Sequence, residues 1–409
     1  MPFFSATLPN GLTLLGEQNP AALSVSTCFW VRTGARDETP EESGLSHFLE
    51  HMVFKGTEKR DPFAVNRDFS KIGAVNNAWT SEENTVYYGT VLPEFLPQMV
   101  DVLADIMRPS LRVEDFETEK KVILDEIVRY EVQPQWGAYD HARSTYYGSH
   151  PLGNRVLGTT ESVTALTQPQ MRSYFDRRYG AGNILAVVTG QFDWSQYVDL
   201  IQKACSHWPT GSTGRQHRIE HCGKPEKHVL YKPADKVNQL YGTLITAAPA
   251  ADSPLAYSAA LLATALGDYA GSRLFWALVD SGLAEEASMD LDECDASGAY
   301  WISFSASPEN GEQNLGIVQK ILDDVQKNGL TRDELEKTRT KILSREVRAS
   351  ERSSSRMSIV AKDWVYRNQY RTVDDELKAW DAVSLDSIRE VLDRYPINQP
   401  TICLYGPEA

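Results

Sequence analysis

Hydrophobic and polar positions along the chain repeat with two periods, one of about two residues and one of 3.6, and these divide it into strands and helices. Thr7-Leu8 leads into the turn residues Pro9-Asn10-Gly11 and then Leu12-Thr13-Leu14-Leu15, which predicts a hairpin. Residues 23–32 (LSVSTCFWVR) alternate as a strand does, and 84–91 is rich in the Thr, Val and Tyr that suit a pleated surface. Helical spacing of apolar residues appears over 44–54. It recurs over 93–107 (Phe95, Leu96, Met99, Val100, Val102, Leu103, Ile106) and over 113–132 (Phe116, Val122, Ile123, Ile127, Val128). A strand at 183–189 (NILAVVT), closed by Gly190, precedes a helix over 194–207.

Between 209 and 227 the pattern lapses into Gly, Ser, Thr, Pro and His, the composition of a linker. It resumes with strands near 228–231 and 239–245, a helix over 254–266 and a break at Gly271-Ser272. A strand at 299–306 and helices over 313–327 and 331–350 follow. The halves share an order of strand, strand, helix, then later strand and helices. That order suggests a duplicated α/β domain, although a tandem of unrelated domains fits it too. The 409 residues suffice for two or three cores.

Composition changes this picture in three ways. The formal charge of −15 argues against a nucleic-acid partner, whose phosphates require a basic footprint. It suits cationic ligands, or simply a solvated surface. The five cysteines (Cys28, Cys205, Cys222, Cys294, Cys403) form no CxxC pair, so buried free thiols in a reducing compartment are expected. The first residues carry neither a basic n-region nor the arginines of a mitochondrial presequence, and no segment has the roughly 18 apolar residues of a membrane span. A cytoplasmic location without membrane contact is the expectation.

The chemistry concentrates in His47-Phe48-Leu49-Glu50-His51. On a helix, positions i and i+4 share a face, so both imidazoles can reach one metal ion. Glu50, three residues from His47, faces the same way as a general base, and Phe48, Leu49 and Met52 can pack behind the pair. A hydrolytic zinc ion needs a third protein ligand and one open position. Glu119 and Glu126 offer that ligand from the 113–132 helix, two turns apart on one face. A surface helix whose histidines pair with acids is the bland alternative.

His-x-x-Glu-His is the inverted zinc motif, and its surroundings resemble the M16 peptidases, the pitrilysin, insulin-degrading and mitochondrial-processing-peptidase group. The resemblance spans most of the chain. It runs through Leu8-Pro9-Asn10-Gly11-Leu12, the stretch from Gly44 to Thr57, Gly73-Ala74, Asn77-Ala78-Trp79-Thr80 and Thr85-x-Tyr87. It continues through Glu119 to Glu126 (EKKVILDE), His150-Pro151-Leu152-Gly153, Asn183 and Gly271-Ser272-Arg273-Leu274-Phe275. It implies an α+β fold of two homologous α/β domains, each a mixed, mostly antiparallel sheet flanked by helices. The expected division is a zinc-binding catalytic domain at 1–212, a linker at 213–228 and a homologous domain without zinc at 229–409. The resemblance further implies zinc as cofactor, Glu126 as third ligand and Glu119 as the carboxylate behind the ligands. Asn77 and Ala78 would lie on an edge strand that pairs with the substrate's backbone, a mode that binds unfolded peptides largely independently of sequence.

One stretch departs from the family. Members acting alone or as homodimers usually carry an Arg and a Tyr in the second half, in a segment reading roughly Arg-Glu-x-x-Gly-Leu-Ala-Tyr. Here Leu278 and Glu285 occupy those positions, and neither can donate to an oxyanion. The implied partner is a homologous chain that carries the pair, making a heterodimer, with a homodimer as the variant. A non-catalytic core subunit of the same fold is the alternative function. His141 and His150 lie outside the motif, His150 before Pro151 as a loop residue, and Arg273 reads as a structural cap or pair. Glu82 and Glu83 read as a solvated loop, with contact to basic substrate residues as the alternative, and the charged residues after Thr331 as an exposed helix face.

Overall fold

The computed structural model describes residues 1–211, 215, 219–233 and 237–408. The eleven strands of the described residues are β1 (Phe3–Thr7), β2 (Thr13–Gln18), β3 (Val25–Val31), β4 (Val75–Thr80), β5 (Thr85–Val91), β6 (Ile184–Gly190), β7 (Lys227–Tyr231), β8 (Leu240–Ala248), β9 (Glu286–Cys294), β10 (Ser297–Ala306) and β11 (Thr401–Gly406). In the first half the helices are α1 (Leu45–Val53), α2 (Pro62–Lys71), α3 (Leu96–Ile106), α4 (Val113–Glu131), α5 (Pro134–Tyr147), α6 (Thr160–Ala165), α7 (Gln168–Arg178) and α8 (Trp194–Cys205). Those of the second half are α9 (Ala256–Gly267), α10 (Gly311–Asn328), α11 (Arg332–Ser350), α12 (Ser353–Arg367), α13 (Val373–Asp381) and α14 (Leu385–Arg394).

These elements form two compact units, each with its own sheet. The first comprises residues 1–127, 154–217 and 347–372; the second 128–153, 218–346 and 373–409. The expected linker at 213–228 lies partly outside the described residues. The first sheet runs β1-β2-β6-β3-β5-β4 and the second β7-β11-β8-β10-β9. Strands β2 and β6 are parallel, as are β7 and β11, and every other pairing is antiparallel. Taking β2 to β6 in chain order and β7 to β11 in chain order, the two sheets have the same spatial order. This is the duplicated topology of an α+β fold, and mixed sheets of this kind bury their central strands between two layers.

In the first unit one sheet face carries α1, α3, α7 and α8 over a core that includes Leu14, Phe29, Phe48, Met99 and Tyr174. The opposite face is covered by α12, whose Met357, Val360 and Ala361 pack on Leu15, Cys28, Trp30 and Val187. The second unit mirrors this arrangement. There α5, from between two segments of the first unit, lays Ala142, Tyr146 and Tyr147 on Ile245, Ala299 and Cys403. Each sheet therefore takes one of its covering helices from the other half of the sequence, which makes both units discontinuous along the chain.

The predicted hairpin is β1–β2, paired through Thr7 and Thr13. The helix predicted from residue 93 opens as a 3-10 turn, Pro93–Phe95, because Pro97 inside its first turn has no N–H to donate. All five cysteines are free, but Cys222 is exposed, unlike the buried thiols expected. No helix among the described residues is long and apolar enough to cross a membrane.

Candidate metal centre

The motif lies on α1, and the sequence just before it fixes where that helix begins. Gly44 takes φ +94°, a conformation open to glycine, and a Cβ there would meet the Leu157 carbonyl oxygen at 2.9 Å. The Glu38 carboxylate, itself buried, accepts the N–H groups of Gly44 (2.8 Å) and Ser46 (2.6 Å), satisfying donors left over at the helix N-terminus. Leu45, Phe48, Leu49, Met52 and Val53 are all buried. Phe48 stacks on Phe116 of α4 at 4.7 Å between ring centroids, which sets the histidine face of α1 against the glutamate face of α4.

His47 Nε2 and His51 Nε2 lie 4.0 Å and 3.7 Å from Glu126 Oε2. Ligand atoms of the three residues fall within 4.8 Å of one another. Zinc bonds of about 2.0–2.1 Å in a tetrahedron separate neighbouring ligand atoms by roughly 3.4 Å, so the three groups are spaced to share an ion rather than to bond each other. Two imidazoles and a carboxylate are also the donor types of hydrolytic zinc sites. The residues present therefore fit zinc. Among the described residues no other three His, Cys, Asp or Glu side chains converge in this way.

Glu119 lies behind the three candidate ligands. Its Oε1 is 2.9 Å from His51 Nδ1, and its Oε2 is 2.6 Å from Lys55 Nζ. A carboxylate can only accept here, so the bond calls for a proton on Nδ1, the tautomer in which Nε2 is the nitrogen available to a metal ion. Burial pushes the Glu119 carboxyl up, but the bonds from His51 and Lys55 outweigh it and hold the group below the ordinary value. His51 is disfavoured as a cation by burial, yet Glu119, Glu126 and Glu50 together raise it above its ordinary value. His47 behaves oppositely. Burial, then the nearby His51, pushes it down to about 3, so it stays a neutral donor through the physiological range. Its Nδ1 is buried and has no partner among the described residues.

Glu50, half-buried on the same helix, accepts a hydrogen bond from Thr80 Oγ1 at 2.6 Å. Burial raises its carboxyl, while the Thr80 bond and then His51 pull it down and Glu126 adds to the rise. A carboxylate raised but ionisable is suited to take a proton near neutral pH. Thr80 ends β4, the outer strand of the first sheet, with β5 on one side and no described strand on the other. Asn77 and Ala78 lie on this edge, as the resemblance implies, and the Asn77 side chain accepts the Ala78 N–H at 2.9 Å.

Sequence reasoning missed Thr80, Lys55 and Glu38. Two lie within stretches that carry the family resemblance, but nothing in their spacing gives their contacts. Glu83 corrects the solvated-loop expectation. It is buried, bonded to Arg36 at 2.6 Å and Arg215 at 3.1 Å, and accepts from Tyr366. Arg273 pairs with Glu334 and Asp324 and stays structural. His150, in a bend of the second unit, stacks on Tyr147 and contacts the Ile219 carbonyl oxygen at 3.1 Å. Leu278 is wholly buried in a π-helical turn, Phe275–Val279, and Glu285 is exposed just before β9.

The chain matches two family descriptions, "Insulinase (Peptidase family M16)" over residues 13–160 and "Peptidase M16 inactive domain" over residues 165–342. A protein of Bacillus subtilis named as an uncharacterized zinc protease is 30% identical over 404 residues, 98% of this chain and 97% of its own. The beta subunit of the mitochondrial-processing peptidase of Neurospora crassa is 37% identical over 206 residues, half of this chain and 43% of that one. The crystal structure of a Helicobacter pylori protease covers 99% of both chains with a TM-score of 0.91 at 20% identity, a likeness of fold. Motif, duplicated topology and full-length similarity agree: the chain belongs to the M16 (insulinase) family of peptidases.

Proposed function

We propose that this chain is the zinc-bearing subunit of an endopeptidase that hydrolyses unfolded peptides. The observation that carries the reading is the convergence of His47, His51 and Glu126 with Glu50 beside them on α1. His47, His51 and Glu126 would hold zinc, with Glu119 fixing the His51 tautomer. When bound, zinc supplies Lewis-acid polarisation of the scissile carbonyl.

The remaining work falls to the chain itself. A peptide lying along β4 finds the unpaired N–H and C=O groups of an edge strand, so its backbone is held whatever its side chains. Asn77 and Ala78 sit where that pairing would occur. Glu50 takes the proton from the attacking water and passes it to the departing amine, and the Thr80 hydroxyl keeps the carboxylate turned to that task.

The second unit repeats the topology without the chemistry. Its helix between the equivalents of β3 and β4 is α9, AYSAALLATALG, which contains no histidine. The buried Leu278 and the carboxylate of Glu285 offer no cationic or neutral donor to an oxyanion. We infer that a homologous partner supplies an Arg and a Tyr, a reading supported by a relative that is itself named as a subunit. The alternative, a core subunit without catalysis, leaves no role for a general base hydrogen-bonded beside two candidate metal ligands.

Glu50→Gln separates the readings. The expected outcome is zinc retained at one equivalent and peptide hydrolysis by the partnered enzyme reduced about 10²–10⁴-fold. Zinc absent from the native chain, or hydrolysis unchanged in the variant, overturns the proposal.

A further inference from the structure

A cavity of about 870 Å³ opens in the first unit between α3, α7 and α8, and none of the proposed zinc or substrate residues lines it. Its walls are apolar at Val100, Ala104, Leu200 and Ala204. Its charge is opposite to that of the molecule. In a chain of formal charge −15, Arg108, Arg172, Lys203 and His207 line it, with Arg108 and Arg172 both lying over the Phe175 ring at 5.5 Å.

Arg108, Arg172 and Lys203 form no ion pair among the described residues. Arg108 sits over the Trp208 ring at 4.0 Å and over Phe175 at 5.5 Å, with Nη1 donating to the Met107 carbonyl oxygen. Its Nε and Nη2 are buried and lack partners among the described residues. Burial pushes this guanidinium down to about 10, and the carboxylate acting on it through space is Asp176, exposed on α7. Arg172 is held by Nη2 to the carbonyl oxygens of Ser110 (2.8 Å) and Pro109 (3.4 Å), with no carboxylate partner among the described residues. Lys203 and His207 are exposed.

Acidic side chains do line the cavity, but two of the three are already engaged. Asp101 and Asp105 both pair with Arg60, and Lys59 approaches Asp105 at 3.9 Å, which leaves Glu58. The carboxyl ends of α3 and α8 offset part of the charge on Arg108 and Lys203. Arg172, in the first half of α7, has no such end beside it. Burying a guanidinium without a counter-ion is costly, and an anion that enters the cavity recovers part of that cost.

We propose that this cavity binds a small organic anion, with a phosphate or carboxylate head at Arg172 and Lys203 and an apolar body against Val100, Ala104, Leu200 and Ala204. The head pairs with the forked guanidinium that the backbone of 109–110 holds in place, and Arg108 contributes its field from beneath. The site is separate from the zinc centre, so its occupancy does not depend on the peptidase reading.

Calorimetric titration of the zinc-loaded full chain with phenyl phosphate, phenyl acetate and inorganic phosphate tests this. Phenyl phosphate should bind once per chain, about tenfold tighter than inorganic phosphate, and weaken as salt rises. Uncharged phenyl acetate should give no saturable heat. Arg172→Gln combined with Lys203→Gln should weaken phenyl phosphate about tenfold or more, and Ala204→Trp, which fills the cavity, should abolish it. Glu50→Gln should bind phenyl phosphate as the parent does. No saturable heat with phenyl phosphate, equal affinity for inorganic phosphate, or parental binding by both cavity variants would overturn the proposal.

Discussion

At the level of single residues, the proposed metal centre depends on which nitrogen of each imidazole is free. Glu119 settles that for His51 by holding Nδ1, and Lys55 holds Glu119. The ligand residues were legible because helical spacing alone places His47, Glu50 and His51 on one face. Thr80 was not, because its hydroxyl reaches Glu50 from a strand thirty residues away, a contact that only the folded sheet creates. Glu83 misled for a related reason. Two adjacent glutamates look solvated in sequence, and the arginines that hold one of them come from residues 36 and 215. Thr80→Val tests the role assigned to the hydroxyl. That hydrogen bond lowers the Glu50 carboxyl, so its loss should raise it further. The base must be ionised, so the acid limb of the kcat/KM profile should move to higher pH, with kcat reduced about tenfold at neutral pH. An unmoved acid limb would leave Thr80 without this function.

Among the elements, α1 and α4 carry the site, and both were readable from apolar residues at helical spacing. The edge strand β4 was not readable from its pattern. Its residues, VNNAWT, are exposed or only partly buried throughout, so no alternation marks a core face. Only the resemblance placed Asn77 and Ala78 on an edge. Helices α5 and α12 escaped notice because their buried faces are not simply apolar: Arg143 lies among the buried residues of α5, and Arg356 and Asp363 among those of α12. The start of α1 provides a test at this scale. Removing the buried Glu38 carboxylate leaves the Gly44 and Ser46 N–H groups without an acceptor at the helix N-terminus. Glu38→Ala should cost about 1–2 kcal/mol in urea unfolding and weaken zinc binding, whereas exposed Glu41→Ala should change neither. Equal effects from both variants would rule out a capping role.

For the whole molecule, the duplicated topology was anticipated from the repeated order of strands and helices, and the two sheets bear it out strand by strand. What the order cannot show is that the halves exchange covering helices, because that depends on which sheet face a helix finds after folding. The duplication also explains why one unit can be chemically silent. The second sheet repeats the first, while α9 carries alanine and leucine where α1 carries its histidines. The proposed division of labour predicts that the isolated chain, loaded with zinc, cleaves an unfolded peptide at least about 10²-fold more slowly than with its homologous partner, since oxyanion donors contribute on that scale. Full activity from the isolated chain would contradict it.

His47, His51 and Glu126 are proposed to share one zinc ion. The most direct measurement is a crystal grown with zinc, with diffraction recorded on either side of the zinc absorption edge. A single strong anomalous peak is expected, bonded to both Nε2 atoms and the Glu126 carboxylate at about 2.0–2.2 Å. A map without a peak there, or one with zinc bound through other residues, would contradict it.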